Sequence, residues 1–301
     1  MTLTQLKYVI TIADTGSINE AAKSLFISQP SLSLAVKELE AEIGAELFLR
    51  TNRGIVVTPE GIEFLGYARQ VVEQYGLLKT RYIEKKNIKK KFSVSMQHYT
   101  FAVNAFIEMV KQFGMDEYEF AVRETKTYEV IEDVRDFRSE IGILYVNNFN
   151  KKVLAKLFKE SGIEFCPILE CGIYVYMWKG HPLAKKTAVS IEELQEYPCL
   201  SFEQGSYNSF YFAEEVLSTY EYKQLIKAND RATMLNLMVG LNGYTLCSGI
   251  LCESLNGKEY CAIKLDSDEK MMIGYIKKKG VALSSLGGKY LEEIAKLSQN
   301  T

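Results

Sequence analysis

The chain has 301 residues, of which 47% are hydrophobic, 12% aromatic and 25% charged, with a formal net charge of −2. At about 100–200 residues per domain this length accommodates two or three folded units, and the apolar share excludes general disorder. The near-zero balance excludes a uniformly basic, histone-like binder, although residues 1–90 carry twelve Lys and Arg against ten Asp and Glu and so leave local contacts with an acidic partner open.

Leu3, Leu6, Val9, Ile10 and Ala13 recur at helical spacing and predict a first helix that Gly16 ends. Ser17-Ile18-Asn19-Glu20 has the pattern of a reciprocal capping box opening a second, short helix. Its Ala21 and Ala22 allow a neighbouring helix to approach closely. Ser28-Gln29-Pro30 opens a third helix, with Ser28 as cap and Pro30 in the first turn, where its missing N–H has no helical acceptor. Leu32, Val36, Leu39 and Ile43 form its buried stripe, and Gly44 stops it. The first turn and opposite face offer Gln29, Ser31, Ser33 and Lys37, hydrogen-bonding groups and one cation suited to base edges and phosphates. Two apolar runs around Thr51-Asn52-Arg53-Gly54 then predict a hairpin bearing Arg50 and Arg53. Three helices and a hairpin make a winged helix-turn-helix whose wing arginines would reach phosphate or a minor groove. A small helical protein-interaction module with a solvated polar face would show the same local pattern.

The longer order of residues narrows the choice. Ile27-Ser28-Gln29-Pro30-Ser31-Leu32-Ser33, Leu39-Glu40, Gly44, Leu47-Phe48, Arg50 and Thr58-Pro59-Glu60-Gly61 resemble the N-terminal signature of LysR-type transcriptional regulators. The resemblance implies that the third helix reads the major groove and that the wing touches the backbone. It nominates Gln29, Pro30, Ser31, Ser33 and Lys37 on the helix, and Arg50 and Arg53 on the wing, as DNA-binding residues. Leu34 and Ala35 depart from the Arg or Gln of many relatives, and Leu34 fits a thymine methyl or a sugar instead.

Thr58 and Pro59 start a longer helix in which Leu65, Ala68, Val72, Tyr75, Lys79 and Tyr82 alternate at spacings of three and four, a coiled-coil seam. Ile62, Phe64, Val71 and Leu78 widen the apolar stripe, which favours dimerisation over packing on its own domain. A dimer sets two recognition helices about one helical turn of DNA apart, and the resemblance implies a homodimer or homotetramer. Five lysines within residues 85–91 read as a solvated hinge.

From Phe92 the period changes to alternating strands and helices, which implies a mostly parallel sheet covered on both faces. Strands are expected at Phe92–Met96, Tyr118–Glu124 and Glu140–Val146, with helices at Tyr99–Phe113 and Thr127–Phe137. A second lobe is expected from Ile163, with strands at Ile163–Leu169, Gly172–Trp178, Pro198–Phe202 and Lys223–Lys227 and helices at Ser206–Tyr220 and Asp230–Leu241. The chain returns through Met271–Lys277 and a helix at Ser284–Leu297. Two α/β lobes joined by crossing strands resemble the periplasmic-binding-protein architecture, which is also that of the LysR-family effector domain. His181-Pro182-Leu183-Ala184 and Val239-Gly240-Leu241-Asn242-Gly243-Tyr244 resemble further family turns, with Leu241 in the place of the usual first glycine.

The expected organisation is an α/β chain with a winged helix-turn-helix domain at 1–58, a linker or dimerisation helix and hinge at 59–90, and an effector-binding domain at 91–301. Within the last, lobe I takes about 91–162 and 266–301 and lobe II about 163–265. Ligands in open α/β sheets sit beyond the carboxyl ends of strands, near free helix N-termini. Thr100, Thr127, Gln204 and Ser206 occupy such places and match the family's effector contacts; each also suits an ordinary helix cap.

Six cysteines form no C-x-x-C pair and only His98 and His181 are present, so no metal or cofactor is expected. His181 has no nucleophile or carboxylate arranged beside it in sequence and reads as structural. No Gly-x-Ser-x-Gly, P-loop, His-Glu-x-x-His or Gly-x-Gly-x-x-Gly motif points to an enzyme. No apolar run approaches the ~18 residues needed to span a bilayer. No leader pattern opens the chain, so a cytoplasmic location away from membranes is expected. The composite expectation is a DNA-binding transcriptional regulator controlled by a small molecule between two lobes. Its partners are promoter duplex DNA, the effector, further copies of the chain and possible RNA polymerase. A redox-sensing regulator using Cys247 and Cys252, a constitutive regulator, and a solute-binding or enzymatic α/β protein are the rivals.

Overall fold

A computed structural model describes residues 1–51, 54–83, 89–113, 117–207 and 209–298, with the backbone alone at 50, 51, 77, 80, 81, 297 and 298. The chain divides into two compact units, Met1–Ile88 and Lys89–Thr301.

The first unit runs α1 (Leu3–Thr15), α2 (Ile18–Ser24), α3 (Gln29–Ile43), β1 (Phe48–Thr51), β2 (Gly54–Val57) and α4 (Pro59–Tyr82). Of the residues the apolar spacing predicts, Val9, Ala21, Ala22, Leu32, Val36 and Leu39 are buried together, joined by Ile12, Leu47 and Leu65, while Ile10, Ala13 and Ile43 are only partly buried against them. Each large aliphatic member contributes about 1.5–3 kcal/mol by leaving water. Ser28 caps α3 by accepting the Ser31 N–H at 3.2 Å. Gly44 ends α3 in the left-handed region at φ 70°. The Glu40 carboxylate on α3 accepts the backbone N–H of Leu47 at 2.8 Å and of Phe48 at 3.3 Å, which ties the hairpin to this helix. β1 and β2 pair antiparallel, with Arg50 opposite Ile55. Gly61 starts α4 so close to β1 that a Cβ there would sit 2.3 Å from the Leu47 carbonyl oxygen.

One expectation here is corrected. Ser17 does accept the Glu20 N–H, at 3.4 Å. The reciprocal half of the box is not formed, because the Glu20 carboxylate takes the Lys23 ammonium at 2.8 Å.

The second unit continues with β3 (Lys90–Met96), α5 (Thr100–Lys111), β4 (Tyr118–Glu124), α6 (Thr127–Arg135), β5 (Ile141–Val146), α7 (Lys151–Glu160), β6 (Ile163–Gly172), β7 (Tyr174–Trp178), β8 (Ala188–Val189), α8 (Ile191–Leu194) and β9 (Cys199–Phe202). After β9 come β10 (Leu225–Ala228), α9 (Arg231–Leu241), β11 (Thr245–Cys247), α10 (Glu253–Asn256), β12 (Tyr260–Leu265), β13 (Lys270–Lys278) and α11 (Ser285–Ser298). One sheet has the order β4-β3-β5-β13-β6 and another β11-β7-β12-β8, with β9 and β10 paired beside it. The β3–β4 and β3–β5 pairs are parallel, as βαβ crossovers require, while β13 returns antiparallel.

Three expectations change in this unit. The strand from Ile163, expected to open the second lobe, runs along β13 at the edge of the first sheet. By sheet membership the chain therefore crosses after Gly172. The helix expected over Ser206–Tyr220 is replaced by two short 3-10 turns, Gly205–Tyr207 and Phe210–Phe212, and irregular chain. Gly205 and Leu217 adopt positive φ there, and the buried Glu214 and Glu215 turn inward to accept backbone N–H groups. Tertiary hydrogen bonds thus displace the helical pattern. Finally, α7, β8, α8, β11, α10 and β12 fall where the sequence pattern predicts no element.

Candidate nucleic-acid interface and ligand cleft

Pro30, Leu34 and Lys37 are exposed on one face of α3, with the half-buried Gln29 and Ser33 at its edge. At 3.6 residues per turn Pro30, Leu34 and Lys37 point away from the buried Leu32, Val36 and Leu39, while Gln29 and Ser33 border that buried face. Gln29 Nε2 donates to Ser33 Oγ at 2.7 Å, and the Ser28 and Ser31 hydroxyls lie 2.7 Å apart, so the polar groups of the first turn are held in place. Leu34, the departure from the family pattern, is 59% exposed on the side of the exposed face away from Gln29. Ser33 and Lys37 also line a groove shared with Phe48 and Leu49 of the hairpin. Arg53 lies outside the described residues, as does the side chain of Arg50.

Along α4, Leu65 and Ala68 are buried in the first unit's core. Ile62, Val71, Tyr75, Leu78 and Tyr82 stay exposed. The first turns of the seam therefore serve the domain itself, and the later turns present an apolar face.

In the second unit a cavity of about 80 Å³ lies between the two sheets' elements. Thr100, at the start of α5, is buried on its wall. Its hydroxyl accepts the Arg231 guanidinium and, at 3.1 Å, Asn256 Nδ2. Arg231, from the other lobe, also pairs with Glu124. Asn256 Nδ2 reaches Tyr176 Oη at 3.1 Å as well. Thr245, only 7% exposed, lines the same cavity, and its Oγ1 has no hydrogen-bond partner among the described residues. Met234, Met238 and Leu246 supply apolar wall.

Beside the cavity a second set of bonds spans the lobes. His98 stacks flat on Phe202, ring centroids 3.7 Å apart. Its Nδ1 and backbone N–H meet Glu214 Oε2 at 2.8 and 2.9 Å. Gln204 Nε2 donates to Glu214 Oε1 at 3.1 Å, while Gln204 Oε1 accepts the Thr127 N–H at 3.1 Å. The Thr127 hydroxyl donates to the Phe212 carbonyl at 2.7 Å. Glu215 Oε1 accepts the Phe202 N–H at 3.0 Å. Burial, followed by the Glu214 charge, pushes the Glu215 carboxyl well above the usual carboxylate range.

Of the four nominated effector residues, Thr100 faces the cavity, and Thr127 and Gln204 meet each other in the bridge alongside it. Ser206 is exposed and takes no part in the wall. Arg231, Thr245 and Asn256 escaped sequence reasoning; a buried hydroxyl at the start of a strand and an Arg opening a helix gave no local signal. His181 is buried, packs on Tyr197 and accepts the Leu183 N–H at 3.1 Å. Burial lowers its pKa below the ordinary value.

Burial pushes the Cys171 thiol up to about 11 and those of Cys199 and Cys247 up to about 12, and it raises Cys252 and Cys261 too. Thiols held protonated react slowly with peroxide. Among the described residues, no three His, Cys, Asp or Glu side chains gather as a metal ion would need. Among them, too, no helix is long and apolar enough to cross a membrane.

A winged helix-turn-helix and a two-lobed α/β unit with a cavity between its sheets, carried on one chain, have the architecture of DNA-binding regulators with an effector-binding domain. Residues 3–62 match the bacterial regulatory helix-turn-helix protein, lysR family, and residues 100–285 match the LysR substrate binding domain. The chain belongs to the LysR family of transcriptional regulators: it is a LysR-type DNA-binding regulator with an effector-binding domain. It is 25% identical over 288 residues to the HTH-type transcriptional regulator YbhD of Escherichia coli, covering 94% of this chain and 87% of that protein. It is 28% identical over 221 residues to the HTH-type transcriptional regulator CysL of Bacillus subtilis, covering 71% of this chain and 69% of that protein. A cysteine mutant of OxyR from Corynebacterium glutamicum is similar in fold, with a TM-score of 0.54 at 19% identity over 99% of this chain and 93% of that one.

Proposed function

We propose that this regulator binds promoter DNA as a homodimer or homotetramer and that a small molecule in the cavity at Thr100, Arg231 and Thr245 controls it. The observation that carries the effector reading is the unpartnered Thr245 hydroxyl, buried on the cavity wall. A buried hydroxyl without a partner is disfavoured by about 1–3 kcal/mol, so a ligand that supplies one is bound selectively. The raised thiols favour this reading over a cysteine-based redox sensor.

On the DNA side, Gln29, Pro30, Ser31, Ser33 and Lys37 meet bases and phosphates, Arg50 and Arg53 reach the backbone from the wing, and Leu34 packs on a thymine methyl. The exposed apolar turns of α4 support pairing of two copies. The bridge through His98, Glu214, Gln204 and Thr127 holds the lobes together. A ligand shifts that closure only by its differential affinity for the closed and open states. In this reading the domains keep the boundaries 1–58, 59–90 and 91–301, and RNA polymerase is the further partner of the DNA-bound form.

The test is promoter affinity and DNA bending measured across candidate metabolites, in the natural chain and in Thr245→Val. A compound that changes either property in the natural chain, and does so less in Thr245→Val with DNA binding intact, supports the reading. Indifference to every compound, in a chain that binds its promoter, indicates a constitutive regulator.

A further inference from the structure

Resting on the reading of this cavity as the effector site, we propose that the effector carries a cationic nitrogen group, an amine or amidine, and that Glu215 receives it inside the cavity with Glu214 close behind. Among the described residues, the Asp, Glu, Lys and Arg side chains on the cavity wall are Glu214, Glu215 and Arg231. The Arg231 guanidinium already pairs with Glu124 and donates to the Thr100 hydroxyl, so an incoming anion would compete with a carboxylate for it. Glu214 is also committed: both of its oxygens take donors, from His98 and from Gln204.

Glu215 differs. Its Oε1 takes the Phe202 N–H, and among the described residues no cation is paired with the carboxyl. Glu215 also lines a second cavity, of about 90 Å³, and so stands between two spaces. Burial and the neighbouring Glu214 charge hold it back from ionising. An arriving cation removes both obstacles at once, because it gives the carboxylate a charge-assisted partner and offsets Glu214. An arriving carboxylate meets the like charge of Glu214 and gives Glu215 no reason to ionise.

A second, independent feature points to a ligand in the same space. Thr245 is buried and its hydroxyl has no partner among the described residues, so the occupant also presents a hydrogen-bonding atom there. Met234, Met238 and Leu246 take an apolar body beyond the charged head. At about 80 Å³ the cavity is smaller than the roughly 150 Å³ space that holds a benzene ring. A ring-bearing ligand therefore enters with the lobes parted, and a small head group fits the arrangement described.

Calorimetric titration of the full chain with two pairs of planar ions, matched in shape and opposite in charge, tests the proposal: acetamidinium against acetate, and benzamidinium against benzoate. The cation of each pair is expected to bind about tenfold or more tightly than its anion. Glu215→Gln keeps an acceptor for the Phe202 N–H and the size of the side chain. It is expected to weaken the cations about tenfold and to leave the anions unchanged. Thr245→Val, nearly the same shape, is expected to weaken the cations too.

Preference for benzoate, with Thr245→Val weakening benzoate, overturns the cationic class while leaving the cavity as the site. Benzamidinium binding that neither substitution alters overturns the site itself. Absence of binding by all four ions also overturns the proposal.

Discussion

Replacing Glu214 by Leu removes the centre of the bridge between the lobes while nearly keeping the volume. In the native structure this carboxylate accepts three donors: the His98 N–H at 2.9 Å, His98 Nδ1 at 2.8 Å and Gln204 Nε2 at 3.1 Å. All lie in a buried setting, with Glu214 itself 8% exposed. Each donor left without an acceptor costs about 1–3 kcal/mol, and the extra apolar surface of Leu returns part of that. A net loss of about 3 kcal/mol is expected. With a urea slope of about 2–3 kcal/mol/M, the unfolding midpoint falls by roughly 1 M. Trp178 is the chain's single tryptophan and lies on β7, so its fluorescence follows the second unit alone. Hydrogen exchange at the Thr127 amide, which donates to Gln204, reports the bridge and should accelerate. An unchanged midpoint together with unchanged protection at Thr127 would refute the reasoning.

Three further outcomes follow from the same geometry. Glu215→Gln should stabilise the second unit, by a margin that grows as pH rises. The unfolded carboxyl ionises near about pH 4.3, while the folded one stays protonated to well above that. The natural chain thus loses stability relative to Gln above that pH and matches it below; urea midpoints from pH 4 to 8 measure the gap, and a pH-independent difference would contradict the assignment. Lys37→Ala should weaken promoter binding and reduce the slope of log affinity against log salt by about one; an unchanged slope would remove Lys37 from the phosphate contacts. Mild peroxide should leave promoter affinity unchanged, with no disulfide found by mass spectrometry, because burial holds the Cys171, Cys199 and Cys247 thiols protonated; a Cys247–Cys252 bridge that alters affinity would favour the redox reading.

The first unit was legible because its information is local. Ser28, Thr58, Gly44 and the Leu32–Val36–Leu39 stripe each act within a few residues, and each stands in the structure where its chemistry places it. The cleft was legible only in part. Thr100 belongs to a strand-to-helix junction, which topology singles out, but its partners Arg231 and Asn256 lie 131 and 156 residues away. The expected helix over Ser206–Tyr220 gives way because the Glu214 and Glu215 carboxylates serve as acceptors for the distant His98 and Phe202 N–H groups, a demand that no local pattern displays. The missed α7 had a readable pattern, with Leu154 and Phe158 buried on one face. The missed β12 had less, since only Leu265 among its six residues is buried.

We expect α3 to enter a duplex groove while a second copy of the chain holds its twin one helical turn away. Footprinting of the full chain on its own promoter, with sedimentation of the same complex, tests it most directly. The account predicts two protected half-sites about 10 bp apart, or a multiple of that, in a complex holding at least two chains, with protection lost on Ser33→Ala combined with Lys37→Ala. A single chain sedimenting alone and leaving the promoter unprotected at low salt would contradict it.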